Sequence, residues 1–169
     1  IKTIKGKLKS DIYSEYYIPY PLKLYPYSSH KIVLDLLNKK DNQRILDLGC
    51  GDGFFSELIS EKNYKVGVDF IPESDNTRRN FTKYFQHDLN KGFPEGLKSE
   101  DKFDYILYMD ILEHLYNYQN LLADSKHYLK SDGKIIISLP NFANIYVRLN
   151  LLIGRLPLAD KGILDRTHL

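Results

Sequence analysis

From Ser28 onward the chain alternates short apolar runs with longer stretches of mixed polarity. Ile32, Val33, Leu36 and Leu37 recur at helical spacing behind Ser28 and Ser29, either of which can cap the first turn, and "DNQ" at 41–43 breaks the pattern. A helix is expected there. Then come "RILDL" (44–48), "FFSELISEK" (54–62), "KVGVDF" (65–70), "ESDNTRRNF" (73–81), "KYFQHDL" (83–89), "DYILYMD" (104–110), "YQNLLADSKHYLK" (118–130) and "KIIISLP" (134–140). Brief apolar runs between helix-length segments predict an α/β fold: a doubly wound, mainly parallel sheet with helices on both faces. Crossovers of one hand then bring every strand to its end on the same edge.

Carboxylates mark that edge. Asp47, Asp69, Asp88 and Asp110 each fall at the end of a predicted strand, at spacings of 22, 19 and 22 residues. In an open sheet of this kind the ligand crevice lies outside the carboxyl ends of the strands, where the strand order reverses. One acid after a strand is an ordinary turn former; four at unit spacing predict an acid-lined crevice.

The first of these units reads "RILDLGCGDGFF", a strand, a glycine-rich turn and the start of a helix. Such a turn normally presents backbone N–H groups to a phosphate. This one carries Asp47 and Asp52, and its glycines stand at 49, 51 and 53, with Phe54 where a dinucleotide-binding loop has its third glycine. A carboxylate about 4 Å from a phosphate costs on the order of 4 kcal/mol at an effective dielectric of 20. The ligand therefore lacks phosphate and carries positive charge, as an adenosine with a cationic sulfur and an ammonium group does.

Taken together, "LDLGCGDG", "VGVD", "HDL" and "DILEHL" resemble the class I S-adenosylmethionine-dependent methyltransferases, over roughly residues 28–140. The resemblance implies a Rossmann-like fold, S-adenosylmethionine as cofactor and S-adenosylhomocysteine as product. It implies that Gly49, Gly51 and Gly53 let the backbone close on the cofactor and that Asp47 faces the methionine ammonium. Asp69 would take both ribose hydroxyls with Phe70 against the adenine. Asp88 would accept from the adenine amino group beside the Leu89 backbone, and Met109 and Asp110 would flank the methionine end. Cys50, inside the loop, reads as a small filler.

Methyl transfer from a sulfonium is an in-line displacement by an activated donor, so alignment supplies much of the rate. A base is needed only where the acceptor must lose a proton, and His114 is the nearest candidate. Asp110, Glu113 and His114 also fall close enough in sequence to suggest a divalent ion, although the same pair occurs in family members that use none, and the expectation is no metal. "PN" at 140–141 with "GILDRTHL" at 162–169 resembles a bacterial subgroup acting on saccharides or other small molecules, which would put His168 near the acceptor.

Composition narrows the surroundings. The 169 residues are 43% apolar and 27% charged, as in an ordinary single domain, and no run approaches the roughly 18 apolar residues of a membrane span. One cysteine permits no internal disulfide, in keeping with a cytoplasmic protein. Residues 1–40 hold eight lysines against three acids, about +5, while the rest of the chain is about −3. Residues 1–27 thus read as a basic, tyrosine-rich arm, with six tyrosines and three prolines in "YSEYYIPYPLKLYPYS", and 28–169 as one methyltransferase domain. The absence of Met at position 1 suggests a trimmed start. The resemblance also implies a sixth and a seventh strand, so that five of seven are accounted for and C-terminal strands are missing.

The expected function is methyl transfer to a small-molecule acceptor, most readily an oxygen. Alternatives are an RNA methyltransferase whose arm stacks bases, a silent cofactor-binding scaffold and a nicotinamide-dependent oxidoreductase; nucleic acid is otherwise not an expected partner. The apolar segment 142–153, with Arg148 and Arg155, reads as an amphipathic helix that covers the sheet edge, makes a homodimer contact, closes as a lid or touches a membrane surface.

Overall fold

The computed structural model describes residues 22–98, 100–158 and 164. The arm as far as Pro21, and His168 with most of "GILDRTHL", lie outside the described residues. Five strands form one sheet: β1 (Arg44–Leu48), β2 (Tyr64–Asp69), β3 (Lys83–Gln86), β4 (Phe103–Met109) and β5 (Leu129–Ser138). Their order is β3-β2-β1-β4-β5 and every pairing is parallel. The chain runs outward from β1 to β3, then crosses to the other side of β1 and continues through β4 to β5. The reversal between β1 and β4 is the switch point at which such sheets bind ligands.

Two apolar clusters cover the two faces, and residue parity decides which side chain enters which. Leu46, Leu48, Val66, Val68, Ile106 and Tyr108 face one way, against Leu89, Leu97, Leu112, Leu115 and Leu121. The last of these lies on α4 (Tyr118–Ser125). Ile45 and Leu107 face the other way, against α1 (Ser29–Leu37) and α2 (Phe54–Glu57), which supply Val33, Leu34, Leu37 and Phe55. Asp47 shares the parity of Ile45. Its carboxylate is therefore directed toward α2.

Helix α1 is capped by Ser28, whose side chain accepts from the Lys31 N–H. Its buried stripe is His30, Val33, Leu34 and Leu37, and Ile32 is 56% exposed. The expected face is thus rotated, because His30 packs on Phe55 with ring centroids 5.4 Å apart. Helix α2 is much shorter than "FFSELISEK" suggested. It stops because outside side chains take its terminal carbonyls: Lys65 Nζ, from β2, donates to Ser56 O at 2.7 Å and Ile59 O at 3.2 Å, and Asn38 Nδ2 donates to Leu58 O at 3.0 Å.

After α3 (Asp75–Asn80), opened by a Ser74–Thr77 capping box, β3 ends at Gln86. Asp88 lies two residues beyond the strand instead of at its end. Helix α4 likewise ends at Ser125, and β5 begins at Leu129, five residues before the expected strand, with an irregularity opposite Phe103 and Tyr105. Helix α5 (Ile145–Leu152) forms where the amphipathic segment was expected, but only Val147 is buried. Ile145, Tyr146, Leu149, Leu151 and Leu152 are exposed, so α5 does not cover the edge strand β5 among the described residues.

Candidate cofactor site at the switch point

The glycine loop between β1 and α2 turns back over the end of β2. Gly49 N–H donates to Val68 O at 2.8 Å, and Gly53 N–H closes the turn on Cys50 O at 3.1 Å. Gly49, Gly51 and Gly53 all have left-handed backbones, with φ of 76°, 55° and 80°. A Cβ at Gly49 would lie 2.4 Å from Ile111 Cγ1. Gly49→Ala therefore combines backbone strain with overpacking, and thermal unfolding is expected to show a loss of about 2–4 kcal/mol.

Asp69 organises the loop from beneath. Its Oδ2 accepts from Gly51 N–H at 2.7 Å and its Oδ1 from Ile71 N–H at 3.2 Å, with the residue 6% exposed. Each oxygen retains a second acceptor site, which suits a pair of neighbouring hydroxyls. Burial pushes its pKa up, opposed by these backbone donors. Phe70, next in the chain, is 40% exposed.

Asp47 is 3% exposed and accepts from the Ser56 hydroxyl at 2.9 Å. Burial pushes its pKa up to about 7; the Ser56 bond lowers it, the Asp69 charge raises it further and Lys65 lowers it. Lys65 directs its ammonium to Ser56 O and Ile59 O, and none of the ion pairs among the described residues includes Asp47. Burial and the charges of Asp47 and Asp69 push the Cys50 thiol up, which keeps it neutral.

Asp52 does not join this group. Its carboxylate accepts from the Ser74 hydroxyl and its carbonyl from Asn76 Nδ2 at 2.7 Å, tying the loop to the start of α3. Across the switch point Asp110 has φ of 52°, a left-handed conformation uncommon outside glycine. Its N–H donates to Ser138 O at 3.1 Å, its Oδ1 accepts from the Ser138 hydroxyl, and Lys23 Nζ lies 3.6 Å from its Oδ2. Met109 is half-buried beside the α1 cluster.

Asp88 is exposed, with Oδ1 accepting from Asn90 N–H at 3.0 Å, and it caps the 3-10 turn Leu89–Lys91, in which Leu89 is buried. His114 ends the 3-10 turn Leu112–His114, half-buried, with its N–H on Ile111 O at 3.0 Å. Among the described residues no three His, Cys, Asp or Glu side chains are grouped closely enough to hold a metal, so Asp110, Glu113 and His114 do not form a ligand set. Ser56, Ser138, Lys23 and His30 were missed by the sequence reading. Ser56 carried a local signal, standing one helical turn after the loop.

The methyltransferase domain family matches residues 22–159, most of the chain. The chain belongs to this family. Among curated relatives, the ubiquinone biosynthesis O-methyltransferase of Pelagibacter ubique (strain HTCC1062) is 32% identical over 103 residues, covering 59% of this chain and 43% of that protein. The (S)-coclaurine N-methyltransferase of Thalictrum flavum subsp. glaucum is 29% identical over 105 residues, covering 58% and 29%. Among solved structures, the plantazolicin methyltransferase BpumL in complex with S-adenosylhomocysteine superposes with a TM-score of 0.54 at 26% identity, covering 73% of this chain and 49% of that one. This methyltransferase chain thus spans half or less of the length of these relatives. The methyl donor is S-adenosylmethionine and the product is S-adenosylhomocysteine, the molecule bound in the plantazolicin methyltransferase. The chemistry of the site fits that donor: the acids at 47, 69 and 110 offer acceptors suited to a ligand bearing ammonium, sulfonium and ribose hydroxyls.

Proposed function

We propose that the chain transfers a methyl group from S-adenosylmethionine to an oxygen of a small-molecule acceptor, acting in the cytoplasm. The observation that carries this reading is the buried Asp47 carboxylate beside a glycine loop pinned by Asp69 at the switch point of the sheet. Gly49, Gly51, Gly53, Asp47, Asp69, Phe70, Asp88, Leu89, Met109 and Asp110 hold the donor. S-adenosylmethionine supplies an activated methyl on sulfur. These residues would bind it and exclude water from its methionine end. The oxygen assignment is supported by the O-methyltransferase similarity, and the nitrogen similarity of the second relative supports only a small-molecule acceptor. No helix among the described residues is long and apolar enough to cross a membrane.

His114 stands one short turn beyond Asp110 and takes the acceptor proton when the acceptor is a hydroxyl. The test is methyl-labelled donor offered to a panel of phenols, catechols, sugars and amines. Label in a hydroxyl acceptor supports the reading, and label only in amines overturns the oxygen assignment. With that acceptor, His114→Asn is expected to lower kcat about 100-fold with donor affinity unchanged. An unchanged kcat removes His114 from the chemistry.

A further inference from the structure

Between α2 and α3, at the start of β2, lies a cavity of about 260 Å³ lined by Glu57, Glu61, Lys65, Asn76, Arg79 and Asn80. None of the six belongs to the donor site. Two carboxylates, an ammonium, a guanidinium and two amides make the lining wholly polar, and its formal charges cancel. They are sorted by element: the acids come from α2 and the turn that follows it, the cations from β2 and α3. The cavity is smaller than the roughly 300–1,000 Å³ of pockets for drug-sized ligands, so its guest is compact.

The cavity is held open by bonds to its surroundings. Asn76 Nδ2 donates to Asp52 O at 2.7 Å and Asn80 Nδ2 to Gly53 O at 3.4 Å, which fixes the α3 wall to the back of the glycine loop. Lys65 is only 6% exposed, and two of its three N–H groups donate to Ser56 O and Ile59 O. The third has no acceptor among the described residues. Burial lowers the Lys65 pKa, and Glu61 and Asp47 raise it through space, yet no ion pair joins Lys65 to either acid. The carboxylates of Glu57 and Glu61 take part in no hydrogen bond or ion pair among the described residues. Arg79 directs one Nη2 N–H to Asn76 Oδ1 at 3.3 Å and has others to offer.

Opposite charges that share a cavity without pairing leave room for an occupant that carries both signs. A simple cation would meet Lys65 and Arg79, and a simple anion would meet Glu57 and Glu61, so each is opposed by half of the lining. We propose that the cavity is a second ligand site, taking a free α-amino acid with its ammonium against Glu57 and Glu61 and its carboxylate against Arg79 and the open N–H of Lys65. The site stands apart from the switch point and does not depend on the reading of the donor.

The test is calorimetric titration of the full chain with leucine, methionine, glutamate and lysine, in excess S-adenosylhomocysteine so that no amino acid can enter the donor site. At least one is expected to bind. Its decarboxylated and its deaminated analogue bind about tenfold or more weakly, since each lacks one of the two charge-assisted contacts. Glu61→Gln and Arg79→Gln each weaken the amino acid by about tenfold or more. Both side chains are on the surface, so the unfolding midpoint and the affinity for S-adenosylhomocysteine stay as they were. Binding that survives both substitutions would place the amino acid elsewhere, and equal binding of either analogue would make this a site for one charge only. Either result, or no binding of any of the four by the folded chain, overturns the proposal.

Discussion

An Asp69→Ala chain binds S-adenosylhomocysteine about a hundredfold or more weakly than the unchanged chain, and it also unfolds at a lower temperature. Two losses combine. On the proposed reading the carboxylate meets the ribose, and two hydroxyl contacts to a charged acceptor account for about 3 kcal/mol, or two decades in Kd. The same oxygens hold Gly51 N–H and Ile71 N–H, which the substitution leaves buried without an acceptor. A stability loss of about 2–4 kcal/mol follows. Asp69→Asn separates the two effects, since it keeps the shape and one acceptor oxygen; an intermediate affinity, about tenfold below the unchanged chain, is expected by titration. Binding by Asp69→Ala within about threefold of the original would remove the ribose from this residue.

Donor affinity rises with pH and levels off above about 7. Asp47, with its pKa pushed up to about 7 by burial, is largely protonated below that pH in the unliganded protein. The bound ammonium favours the carboxylate, so binding below pH 7 must expel a proton, and affinity falls by up to about tenfold per pH unit. Titration in buffers of different ionisation enthalpy should detect close to one proton released at pH 6 and little at pH 8. Affinity that is flat from pH 5.5 to 8.5 would show that Asp47 does not meet the cation.

The same shift sets the stability of the unliganded chain. Between the ordinary carboxylate pKa and about 7 the folded state binds more protons than the unfolded state, so this group's contribution to stability declines as pH rises through that window. The upward shift of Asp69 acts in the same direction. Thermal unfolding should therefore show a less stable free protein at pH 8 than at pH 5.5, and a larger stabilisation by ligand at pH 8.

Much of the sheet was legible because its strands are continuous apolar runs bounded by polar segments, as buried parallel strands must be. The rim acids were legible for the same reason: once the strands are placed, Asp47, Asp69 and Asp110 follow from counting. Other features depend on contacts that no local pattern encodes. Helix α2 ends early because Lys65, from the adjacent strand, takes its carbonyls. Asp52 accepts from Ser74, which lies within reach across 22 residues. Lys23 meets Asp110 across 87 positions, and nothing in "LKLYP" announces it. Helix α5 shows the opposite failure, since its apolar composition suggested burial and seven of its eight residues are not buried.

The all-parallel sheet also governs the order in which the site comes into being on the ribosome. Strand β1 pairs with β2 about twenty positions later, but its other neighbour, β4, follows by sixty, as the Ile45↔Tyr105 register shows. At roughly 5–20 residues per second those sixty residues take about 3–12 s to synthesise. During that interval the nascent chain can form β1, the glycine loop and β2 with Asp69, while Asp110 has yet to be made and Lys23 waits without its counter-ion. The glycine loop and Asp69 are thus made before Asp110, and the switch point closes only once β4 pairs with β1.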